Sequence, residues 1–157
     1  MDHIDKLMRL AICEAEKGIA EGQSPFGCAI SLNGKVIAAA HNRVIADTDT
    51  TAHAEINAIR AACQQTGNIH FTGAIVATTC EPCPMCMAAL HWARVRQVYY
   101  GATIADADAA GFNELTLSAK SLLQQGGSTI ELIHGPLESE CKALFKHWAS
   151  NANHCCY

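Results

Sequence analysis

The sequence predicts an α/β fold, a three-layer α/β/α sandwich around a mixed, roughly five-stranded sheet. Three observations carry that expectation. The chain opens on an amphipathic helical pattern, continues into a β-hairpin marked by Asn33-Gly34, and then alternates strand-like and helix-like segments. A hairpin pairs antiparallel, whereas strands separated by helices pair parallel, so the sheet must be mixed.

From Ile4 to about Glu21, apolar residues including Leu7, Met8, Ala11, Ala15 and Ile19 recur at helical spacing, with Asp2 or His3 near the start and Gly22 as the stop. Pro25 and Gly27 open a strand over Cys28 to Leu32, and Val36 to Ala40 returns from the Asn-Gly turn. A loop from His41 to about Thr50 follows. Thr50 or Thr51 can cap a helix that runs through His53 to roughly Gln65 and stops before Gly67. Ala74 to Thr79 is an apolar run of the kind buried on both sheet faces. Pro84 suits the first turn of a helix over Met85 to Ala93, and Gln97 to Tyr100 is a further strand. Helical turns are expected at Asp106 to Gly111 and Ser118 to Gln125, a last strand at Ser128 to Ile133, and a last helix at Leu137 to Ala149.

The 157 residues fit one domain, with 151–157 as a C-terminal tail, and suffice to bury a core without disulfide staples. A formal net charge of -4 and the absence of any Lys or Arg run weigh against a nucleic-acid partner. Nine cysteines, an odd number, with no leader pattern and no long apolar segment point to a reducing compartment: a cytoplasmic protein with no membrane partner. Cys13, Cys28, Cys63 and Cys141 lie singly among apolar residues and are expected to be small buried hydrophobes. His154, Cys155 and Cys156 in the tail are expected to be inert.

The chemistry gathers at Cys80-Glu81-Pro82-Cys83-Pro84-Met85-Cys86 and at His53-Ala54-Glu55. Cys83 and Cys86, placed where a helix starts, supply two thiolates that the helix dipole and free N–H groups stabilise. His53 can add an imidazole, leaving one vertex of a tetrahedral ion open. On zinc, an open vertex lowers the pKa of bound water to about 7. On a regular helix, residues two apart point about 200° from each other, so His53 and Glu55 can share a site only off a helix end. Glu55 also falls on the apolar face with Ala58, Ile59 and Ala62, where burial would raise its pKa towards that of a proton carrier.

At His53-Ala54-Glu55 and Pro82-Cys83-Pro84-Met85-Cys86 the chain resembles the cytidine and deoxycytidylate deaminase superfamily, and the resemblance spans nearly its whole length. Pro25-Phe26-Gly27, His41-Asn42, Trp92-Ala93-Arg94, Ala110-Gly111-Phe112 and a terminal Tyr157 narrow it to the small bacterial guanine deaminases. The resemblance implies a cytidine deaminase-like sandwich with one zinc per subunit on His53, Cys83 and Cys86, and Glu55 as proton shuttle. It implies a small-molecule nucleobase as partner, with Asn42 on the purine edge, Phe26 stacked near the ring, Ala54 in contact with the base and Trp92 on the pocket wall. Glu114 would meet the exocyclic amine and relay a second proton, although the family pattern carries the shorter Asp there. Tyr157 would belong to a segment that closes over the site, and a homodimer, with C-terminal segments exchanged in some members, is the expected assembly.

Two readings keep the chemistry and change the substrate: the wobble adenosine of tRNA, or cytosine or another small aminated heterocycle. A reading from a different class is a structural zinc module in which Cys80 closes the fourth vertex and excludes water. Against it, Cys80 still belongs to the strand, and a closed knot leaves Glu55 without a task.

Overall fold

The computed structural model describes residues 3–157, so Asp2 as a candidate helix start lies outside the described residues. The elements in chain order are α1 (His3–Ala20), β1 (Gly27–Leu32), β2 (Lys35–His41), α2 (Val44–Asp47), α3 (Ala54–Thr66), β3 (Ile75–Cys80), α4 (Pro84–Trp92), β4 (Gln97–Ala102), α5 (Ile104–Ala109), α6 (Ala119–Gly126), β5 (Glu131–His134) and α7 (Glu138–Ala149). The sheet runs β2-β1-β3-β4-β5. β1 is antiparallel to both β2 and β3, while β3, β4 and β5 are parallel, which is the mixed sheet expected from a hairpin followed by crossover helices.

Two apolar layers sandwich the sheet. On one face Ala54, Ala58 and Ala62 of α3, Met87 and Leu90 of α4 and Leu123 of α6 pack on Cys28, Ile30, Val76 and Val98. On the other, Leu7, Met8, Ala11 and Ala15 of α1 and Cys141, Leu144 and Trp148 of α7 cover Ala29, Ala77 and Ala102. Side chains alternate across β1 and β3 because strand residues project to opposite faces. Covered on both sides, β3 carries almost no exposed surface, as its apolar sequence implied.

Helix α1 sits very close to β1. A methyl group on Gly27 would overlap the Ala11 carbonyl and lie 2.7 Å from the Ala15 amide, so this strand opening needs glycine for the approach of a backbone.

Three expectations are corrected. The segment after β2 is not all loop: Val44–Asp47 forms the short helix α2, closed by Thr48 in the left-handed region. The last strand begins at Glu131, opposite Gln97, because the chain leaves α6 through Gly127 and needs the next residues to return to the sheet edge. Cys13 is exposed and Cys63 half-buried, whereas Cys28 and Cys141 are buried as expected. Cys13 follows the buried Ala11 by two residues, about 200° round the helix, and so faces outward. Among the described residues, no helix is long and apolar enough to cross a membrane.

Gly27→Ala is expected to destabilise the fold by about 2–3 kcal/mol through overpacking against α1, read from the shift in urea midpoint at unchanged slope.

Candidate active site

Two helix N-termini meet beyond the end of β3. His53 is the N-cap of α3 and Cys83 the N-cap of α4, both in extended backbone, and neither has the oxygen side chain of a conventional cap. Freed from capping, both side chains project off the helix ends. Pro84 takes the first position of α4, where its missing N–H costs nothing, and Cys86 follows in the same turn. Thr51, expected as the cap of α3, instead donates to the Asp49 carboxylate in the preceding turn. A cap at Thr51 would have laid the imidazole of His53 along the helix flank, away from Cys83.

His53 Nδ1 lies 3.6 Å from Cys83 Sγ and 3.5 Å from Cys86 Sγ. A tetrahedral ion with zinc–sulfur bonds of about 2.3 Å and a zinc–nitrogen bond of about 2.0 Å sets sulfur–nitrogen edges of about 3.5 Å, so the imidazole already stands at the right separation from both sulfurs. Cys80 is not among them. Its thiol is spent on the Thr103 carbonyl at 3.4 Å, and the metal-capable cluster is His53, Cys83 and Cys86. A hydrogen bond from Cys86 brings Cys83 down to about 4 against its burial, and the same bond together with burial raises Cys86. Burial pulls His53 down, but its bond to Cys83 and the charges of Glu55 and Cys83 outweigh that and raise it. Such a donor set gives up its protons to a thiophilic cation.

Glu55, the second residue of α3, is 6% exposed and accepts a 2.7 Å hydrogen bond from Thr78 Oγ1 of β3. Burial raises its pKa, with the Thr78 bond working against the rise. The sequence reading missed Thr78, yet a polar residue inside an apolar, doubly covered strand was an available signal. Glu114 faces the same cavity and is also raised, by burial first and then by the charge of Cys83.

The cavity, about 260 Å³, is lined by Phe26, Asn42, His53, Glu55, Cys83, Glu114 and Tyr157 among others. Its apolar wall is an aromatic cluster in which Phe112 meets Phe26 edge-on at 5.0 Å and Tyr157 at 5.7 Å. Of the C-terminal residues, Tyr157 lines the cavity. The Asn42 side-chain amide donates to the Tyr157 hydroxyl, and the Asn113 N–H donates to the Tyr157 carbonyl. Burial pushes the Tyr157 phenol up to about 12, so it stays protonated.

Two expected contacts lie elsewhere. Trp92 ends α4, about 12 Å along the axis from the metal-side turn, and cannot wall this cavity in its own chain. It is 73% exposed, on a surface shared with His91 and Leu122. Ala54 is fully buried with its side chain in the core beneath α3, not on the cavity lining.

Residues 1–102 match the family model for the cytidine and deoxycytidylate deaminase zinc-binding region. The chain belongs to that deaminase family. It is similar to a guanine deaminase of Bacillus subtilis, 42% identical over 115 residues that make up 73% of each protein. It is also similar to the tRNA-specific adenosine deaminase of the same organism, 36% identical over 139 residues, 87% of this chain and 83% of that one. Among solved structures, a guanine deaminase from Nitrosomonas europaea superposes with a TM-score of 0.84 at 26% identity, covering 94% of this chain and 85% of its own. The deaminase is therefore a hydrolase of carbon–nitrogen bonds, and zinc is its metal.

Purified deaminase is expected to carry about one zinc per chain, and Cys86→Ser to lose most of it, as read by plasma mass spectrometry. Thr78→Val should keep the zinc but lower kcat about tenfold, because the hydroxyl that fixes the Glu55 carboxylate is gone. Undiminished kcat would show that Glu55 is held by other means.

Proposed function

We propose that the deaminase converts guanine and water to xanthine and ammonia. The observation that carries this reading is a cavity of about 260 Å³, the size for a small heterocycle, with two desolvated carboxylates, Glu55 and Glu114, facing it and a tyrosine closing it. Similarity to the Bacillus subtilis guanine deaminase over most of both chains supports the choice of base.

His53, Cys83 and Cys86 would hold zinc, which would supply Lewis acidity to activate water. The rest is done by side chains of this chain. Phe26 and its aromatic neighbours take the flat face of the base, and Asn42 holds an edge with the amide hydrogen that Tyr157 does not use. Glu55 takes a proton from the attacking water, passes it to the ring nitrogen next to the amine-bearing carbon, and so makes that carbon electrophilic. Glu114 meets the exocyclic amine and relays to it the remaining proton of the added water, so that the carbon–oxygen double bond forms as the carbon–nitrogen bond breaks and ammonia leaves. Tyr157 and the tail exclude bulk water, which strengthens each of these polar contacts. A cytoplasmic homodimer is part of this reading.

A second reading, deamination of a tRNA adenosine, draws on the similarity to the Bacillus subtilis tRNA-specific enzyme. The net charge of -4 and the covered cavity favour the free base.

Incubating the zinc-loaded protein with guanine, cytosine, adenine and tRNA and following ammonia separates these readings. Guanine is expected to be the best substrate, and turnover of tRNA with salt-sensitive binding would reverse the assignment. Glu55→Gln should retain zinc and lose at least about a hundredfold in kcat. Glu114→Ala should lower kcat on guanine by about tenfold or more, the range expected for losing a positioned acid.

A further inference from the structure

Glu81 stands between the strand residue Cys80 and the metal ligand Cys83, lines the cavity, and has no part in the chemistry above. Both of its carboxylate oxygens are engaged. Oε2 accepts the Ile104 N–H at 3.3 Å and Oε1 accepts the Ala119 N–H at 2.9 Å. These are the first residues of α5 and α6, whose amides have no acceptor within their own helices. Each helix nevertheless has a cap of its own: Thr103 forms a capping box with Asp106 on α5, and Ser118 accepts from the Ser121 N–H on α6. Glu81 is therefore surplus to ordinary capping. What its two bonds add is a tie from the metal-ligand loop to both helix starts.

The same loop is stitched to α5 by its backbone. The Glu81 N–H donates to the Ala102 carbonyl at 2.8 Å, and Cys80 Sγ reaches the Thr103 carbonyl. Between α5 and α6 lies the segment 110–118, which brings Glu114 to the cavity. One end of that segment hangs from α5 and the other from α6, and the Glu81 carboxylate holds both helix starts at once. Anionic acceptors make the stronger hydrogen bonds, and two at once fix an orientation as well as a distance.

We infer that Glu81 is a positioning residue that sets the Glu114 segment relative to the metal-ligand loop, through its paired bonds to the Ile104 and Ala119 amides. Its kinetic consequence rests on the role proposed for Glu114. The geometric consequence does not. A glutamine at this position can accept from one amide but turns an NH2 group towards the other, so Glu81→Gln removes half of the tie at nearly constant volume.

The test uses the zinc-loaded protein. In Glu81→Gln, hydrogen exchange across 112–119 is expected to quicken by about tenfold to a hundredfold, with zinc content and exchange in α1 unchanged. The value of kcat/KM on guanine should fall by a similar factor, mainly through kcat, and Glu81→Gln should add nothing further in a Glu114→Ala background. Unchanged exchange in 112–119 would overturn the proposal. So would an equal loss in both backgrounds, or loss of zinc, which would put the role of Glu81 at the metal. If the glutamine variant does not fold, Glu81→Asp, one methylene shorter, is read by the same exchange measurement. Should the unaltered protein not turn over guanine, the Glu114 reading fails and the exchange result alone decides the positioning role.

Discussion

Everything at this site depends on two helices starting at the same point. An imidazole and a thiol occupy the N-cap positions of α3 and α4, where side chains leave the helix end instead of lying along its flank. The arrangement gives up two conventional caps, a sacrifice of roughly 1 kcal/mol each, and in return brings three metal-capable donors within 4.8 Å of one another without a long loop. It also places the positive ends of two helix dipoles beside the thiolates. β3, buried on both faces, is the rigid rail that holds Cys80 and hence the start of the ligand loop in place.

The same logic explains a carboxylate in the core. Glu55 shares a helix face with Ala58 and Ala62, against the sheet, and a charge there without partners would be costly. Thr78 supplies one hydrogen bond, and the charges of Cys83 and His53 act on it from the metal-ligand cluster. Burial pushes the group towards the neutral form while the Thr78 bond pulls the other way. A carboxylate balanced between those forces can both accept and return a proton, which a surface glutamate with an ordinary pKa does poorly near neutral pH.

Much of this was legible in the residues, for identifiable reasons. The hairpin at Asn33-Gly34, the α1 stripe and the apolar β3 run are local patterns, and local patterns survive folding. The metal triad was legible because its chemistry demands particular residue types at helix starts. Contacts made across the sheet were not. Thr78 meets Glu55 from 23 positions away, and Glu81 meets Ala119 from 38, and no periodicity encodes either pairing. Trp92 was misplaced for a related reason, since resemblance assigns a residue to a pocket but only helix length says how far from that pocket it stands. Capping failed as a signal at Thr51 because the site overrode it, which is where local rules are expected to give way.

The spacing of these parts along the chain bears on the order in which they can come together during synthesis. His53 and Cys86 are 33 residues apart, so the ion's grip involves a single compact stretch that leaves the ribosome early. The partners Asn42 and Tyr157 are separated by 115 residues, so this contact beside the cavity can form only after a far longer stretch of chain has been made. A nascent chain can thus bring its three metal-capable donors together well before the Asn42–Tyr157 contact completes the lining of the cavity.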